Sequence, residues 1–193
     1  MRHIMKYHLT GGYAVRLQQN KRQLLLFYLA GFLVGILYAN LISKDHTAVT
    51  GIFNEYFLNE YLRTKIVPED YLWYLVRIRL IPFACMCVLG LTRFKRGVVI
   101  AVLIWTGFLG GIVIVTGFLR MGVFGLVLCF AGLLPHFIFY ILAYAVVLWY
   151  FYTSKTSRWN TSKTVFTVVV FCMGMIMEGY VNPILMKMVI RFL

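Results

Sequence analysis

The chain has 193 residues, of which 62% are hydrophobic and only 13% charged, with a formal net charge of +13. A soluble domain carries about 45–50% apolar and about 25% charged residues, so this chain has too little polar surface to cover its apolar side chains in water. The charge does not point to nucleic acid either. The 19 Lys and Arg residues sit in short clusters between apolar runs, which is a membrane-topology pattern and not a basic stripe.

The expected fold class is all-α: a polytopic membrane helix bundle of about five transmembrane helices, with an external amphipathic helix and a half-helix, in one integral domain over residues 1–193. A span needs about 20 mostly apolar residues. The first 22 residues are basic and polar, and the first span is expected over 23–42, an uncleaved anchor that includes Gly31 and Gly35.

Residues 43–70 hold five of the six acidic residues, Asp45, Glu55, Glu60, Glu69 and Asp70. Here Val49, Ile52, Phe53, Tyr56, Phe57 and Tyr61 recur at helical spacing, which predicts an amphipathic helix lying in the membrane interface, ended near Pro68. The second span is expected over 71–92 and contains Arg77, Arg79 and Pro82. The third runs over 97–119, with Gly107 and Gly111. The apolar stretch 121–152 is long for one span and short for two, and Pro135 divides it. The reading is a half-helix over 121–133 and a fourth span over 135–152. The fifth span covers 163–181 and is stopped or kinked at Asn182-Pro183.

Five spans put the N-terminal segment and the 92–97 and 153–163 loops on one side, with eleven basic and no acidic residues. The positive-inside rule then places the N-terminus in the cytoplasm, and the 43–70 segment and C-terminus outside. Ionisable groups in hydrocarbon are costly and face protein or water. Glu178, the sole acid in any expected span, is therefore expected to pair with Arg77 or Arg79 in the outer half of the bundle, with Arg120, His136 and Asn40 at a similar level. Snorkelling of the arginines to the headgroups is the competing expectation. The Gly31/Gly35 and Gly107/Gly111 pairs permit close helix approach, and self-association into a homo-oligomer through them is one use.

The four cysteines (85, 87, 129 and 172) all lie in apolar runs and read as small buried hydrophobes, not metal ligands. The sequence contains no HExxH, paired intramembrane aspartates, GxSxG or P-loop, so no enzyme, cofactor or metal site is expected.

Two segments, Gly132-Leu-Leu-Pro-His136-Phe-Ile-Phe-Tyr-Ile-Leu-Ala143 and Glu178-Gly-Tyr-Val-Asn-Pro183, resemble the Pro-His helix start and the closing Glu-x-x-x-x-Pro segment of the stage II sporulation protein M family. The resemblance covers roughly residues 20–185. Broader members carry a Glu and a second Pro after the Pro-His, where this chain has Tyr140 and Leu142. The resemblance implies a non-enzymatic membrane subunit that anchors peptidoglycan-cutting partners, similar to stage II sporulation proteins D and P, at the septal membrane during engulfment. The 43–70 segment would then be the docking surface, with Pro135, His136, Glu178 and Pro183 as structural positions. A small transporter or channel subunit working as a homo-oligomer is the alternative, suited by a half-helix, a helix broken at Pro135 and a buried Glu178. A membrane-embedded protease finds neither nucleophile nor metal ligands.

Overall fold

A computed structural model describes residues 2–42, 54–153 and 158–192. All its regular elements are helical, and five helices are long and apolar enough to cross a membrane. The chain is a multi-pass membrane helix bundle. Helix α1 spans Arg2–Ile42, and the short helix α2 spans Glu55–Arg63. Helix α3, Pro68–Gly90, contains a π turn at Val76–Leu80. Helices α4 and α5 span Lys95–Met121 and Val123–Thr153. Helix α6, Thr161–Phe192, contains a second π turn at Met177–Val181.

Three sequence expectations are corrected. The 121–133 stretch is not a separate half-helix. Gly122 adopts φ 60°, a left-handed conformation that glycine takes without steric cost, and turns the chain between α4 and α5 in a single residue. Everything after it joins one helix that runs through Pro135. The missing N–H and the ring of an internal proline disfavour a helix in water, but neighbouring helices make a proline tolerable inside a membrane bundle. The last span likewise continues through Asn182-Pro183 to Phe192. Two of the four cysteines, Cys85 and Cys172, are exposed on the bundle surface; Cys129 is buried.

Lipid gives apolar helices no solvent-driven reason to associate, so close packing through small residues has to hold them together. The most extensive helix pair, α1 with α4, is made this way. Gly31 and Gly35 lie against the backbones of Ile104 and Phe108, while Gly107 and Gly111 lie against those of Tyr28 and Phe32. The two GxxxG segments face each other within one chain. Helix α5 is central, packing on α4 and α6. At its start Gly125 sits on the backbone of Gly117. Further along, Val147, Leu148 and Phe151 join Met86 of α3 and Val99 of α4 in a buried cluster.

The two ends of the bundle differ. At one end Tyr152 donates to Gln23 Oε1 at 2.5 Å, and the Arg96 guanidinium lies 5.7 Å from the Tyr152 ring. The basic residues 93–96 and 158–163 gather there. At the other end α2 is folded back onto the bundle. Asn54 caps α2 by accepting from the Tyr56 N–H at 3.2 Å. Leu58 is buried with Leu128 of α5 and Ile190 of α6, flanked by Tyr61 and Leu62. Lys187 donates to the Thr64 carbonyl at 2.6 Å. The expected stripe of α2 is therefore divided: Tyr61 packs inward, whereas Tyr56 and Phe57 are exposed. Phe53, with Val49 and Ile52, lies outside the described residues.

Candidate functional site

Both π turns lie just ahead of a proline, and each carries one half of an ion pair. Pro82 follows Val76–Leu80, which holds Arg79; Pro183 follows Met177–Val181, which holds Glu178. A proline in an α-helix has no N–H to offer and presses its ring on the carbonyl four residues back. Widening the turn by one residue relieves that contact, and such turns recur at functional sites. In α6 the Asn182 N–H reaches back five residues to the Met177 carbonyl. Gly179, buried beside Leu72 of α3, lets α3 and α6 come close at this level.

Across that approach Arg79 Nε donates to Glu178 Oε2 at 3.0 Å and to Oε1 at 3.2 Å, and Nη2 also donates to Oε1. Tyr140 of α5 donates its hydroxyl to Glu178 Oε2 at 2.7 Å. His136, one turn earlier on the same face, brings Nε2 to 3.7 Å from Glu178 Oε1 and sets its ring edge-on to Tyr140. The Arg79 guanidinium lies 5.4 Å from the Tyr140 ring centre. Gly174 makes room for this ring, since a Cβ there would stand 3.1 Å from it. One carboxylate thus ties three helices together.

Burial is uneven. The Glu178 side chain is 5% exposed and that of Arg79 40%. Withdrawing a carboxylate from water costs several kcal/mol, and a paired, hydrogen-bonded cation offsets much of that cost. The fork of Arg79 supplies the pairing, and Tyr140 fills a remaining lone pair. The arrangement is a neutral brace.

The cluster lies at the middle of its helices and not in the outer half of the bundle. Arg79 is the central residue of Pro68–Gly90, and Glu178 and His136 fall close to the midpoints of Thr161–Phe192 and Val123–Thr153. The cause is the run of α6 past Pro183, which moves Glu178 away from a helix end. Of the expected members, Arg79, His136 and Glu178 meet. Arg77, two residues from Arg79, points elsewhere and is exposed. Asn40 donates to the Ile36 carbonyl of its own helix at 2.9 Å. Arg120 lies in the last turn of α4. Pro135 precedes His136 inside α5, and Pro183 is buried just after the Glu178 turn.

Tyr140 is a site residue that the pattern of charges does not reveal. Its signal is the four-residue spacing from His136, which places both on one helix face. Tyr140→Phe should leave a buried carboxylate oxygen without a donor and destabilise the protein by about 1–3 kcal/mol. A thermal melt in detergent measures this, and an unchanged midpoint would show that the bond contributes nothing.

No family model, curated protein or solved structure matches the chain.

Proposed function

We propose that this protein is a non-enzymatic membrane scaffold that anchors and localises peptidoglycan-cutting proteins during engulfment in endospore formation. The observation that supports it most is the meeting of the two segments that resemble stage II sporulation protein M. His136 of the first and Glu178 of the second stand 3.7 Å apart in one brace. A tied bundle of this kind suits a platform.

In this reading the basic end faces the cytoplasm with the N-terminus, and α2 and the C-terminus face outward at the septal or engulfing membrane. The exposed Tyr56 and Phe57, beside the acids of this segment, form the docking edge for an extracytoplasmic partner.

Tagged protein from sporulating cells should bring down a peptidoglycan hydrolase, and Tyr56→Ala with Phe57→Ala should reduce its recovery. A cysteine at position 55 should react with an impermeant label from outside. Labelling only from the cytosol overturns the orientation, and the absence of a hydrolase overturns the scaffold.

The transporter reading keeps one favourable observation, a charged cluster at mid-length between two π turns. It loses the half-helix and the break at Pro135. Proteoliposomes loaded with a pH dye and a set of small cations separate the two: the scaffold moves none of them, and flux that depends on Glu178 establishes transport.

A further inference from the structure

Helix α3 is the least buried of the five spans. Its outward side carries Trp73, Arg77, Ile81, Ala84 and Val88, all exposed and spaced four, four, three and four residues apart. That spacing makes one continuous stripe on a helix. Trp73 is 69% exposed, Val88 65% and Ile81 59%. The stripe is apolar except at Arg77. Arg77 lies two residues from the midpoint of Pro68–Gly90, on the side of the helix away from Arg79, and makes no side-chain hydrogen bond or ion pair among the described residues.

A cation at mid-span facing hydrocarbon is unfavourable; such groups pair or face a polar interior. Arg79 has its carboxylate. Arg77 is nine residues from Pro68, about 13 Å along the helix, a greater rise than its own side chain can span to reach the nearer end. The missing element is an acidic group at the same depth. Among the described residues, a second copy of this chain has no spare one at that depth. Glu178, the only acid near the middle of any span, is enclosed by Arg79 and Tyr140, and Glu69 and Asp70 are in the first turn of α3.

We infer that the Trp73–Arg77–Ile81–Ala84–Val88 stripe is a lateral docking seam for a transmembrane helix of another protein that carries an Asp or Glu at mid-depth. The apolar residues pack along the incoming helix, and the carboxylate meets the Arg77 guanidinium. This seam is distinct from the exposed edge of α2, and it stands or falls independently of the hydrolase reading.

The test uses the full chain in the membranes of its own host, with a photoreactive benzoylphenylalanine replacing Ile81. The expected product is an adduct to a protein with an acidic residue inside a membrane span. Arg77→Leu should lower its yield about tenfold, in line with a buried membrane polar contact. Arg77→Lys should retain it, and Arg77→Asp should recover it when the partner's acid is changed to Lys. The detergent melting midpoint of each variant reports whether the bundle is intact. Adducts with lipid alone, adducts with a second copy of this chain, or a yield indifferent to Arg77→Leu in a folded protein would each overturn the seam.

Discussion

Arg79→Leu is expected to destabilise the bundle by about 3–5 kcal/mol, because it leaves the Glu178 carboxylate enclosed without its counter-charge. Glu178→Leu should cost less. The stranded Arg79 side chain is 40% exposed already and has freedom to move toward polar surroundings, whereas the carboxylate at 5% has none. The double substitution to leucine should recover most of the loss, since a buried ion pair replaced by apolar groups of similar size is often neutral. Unfolding of the two single variants and the double variant in mixed micelles completes the cycle. Arg77→Leu combined with Glu178→Leu serves as the control and should be additive, since no contact joins those residues. Additive losses for Arg79 and Glu178 would remove the brace.

The second large effect is expected at the crossing of α1 and α4. A Cβ at Gly31, Gly35, Gly107 or Gly111 would run into a backbone carbonyl of the opposite helix, which cannot move aside as a side chain can. Gly35→Leu or Gly107→Leu should therefore separate the helices and cost about 1–3 kcal/mol or more each. Two neighbouring positions supply controls. Gly97 has no neighbour within 4 Å of an added Cβ, and Gly97→Ala should be neutral or stabilise by about 1 kcal/mol through helix propensity. Gly110 meets the Tyr28 hydroxyl at 3.4 Å, so Gly110→Ala should be mild. Cysteines placed across α1 and α4 read the crossing directly: their disulfide forms in the parent and is lost in the leucine variants. If these glycines joined separate copies instead, the leucine variants would retain the internal disulfide and the melting midpoint.

Much of this architecture is legible in the residues. The number of spans follows from apolar length, and the pairing of Glu178 with an arginine of the second span follows from the cost of an isolated charge in hydrocarbon. The choice of Arg79 over Arg77 does not. Two residues along a helix place the side chains on opposite sides, and only the packing of α3 on α6 decides which arginine faces inward. The GxxxG segments are visible as small-residue spacings, but spacing does not state whether the opposing surface belongs to the same chain. Pro135 and Pro183 mislead most, because the sequence reading divides or ends a span at each, whereas it keeps Pro82 inside the second span. Pro82, Pro135 and Pro183 all sit inside continuous helical spans, two behind a π turn and one without. A rule drawn from water-soluble helices places breaks at such residues, and the depth of Glu178 shifts with that choice. Tyr140 escapes a search for charges because its part is to donate one hydrogen bond.

The spans are of very unequal length. Helix α5 has 31 residues and α6 has 32, about 46–48 Å each, whereas α3 has 23, about 34 Å. A hydrocarbon layer of about 30 Å suits α3 nearly upright, whereas the longer pair exceeds it, and α6 carries Lys163, Lys187 and Arg191 in its outer turns, where they suit the headgroup layer. The overhang at the start of α5 and the end of α6 is where Leu58 of α2 packs against Leu128 and Ile190, so part of the excess length is covered by protein instead of lipid.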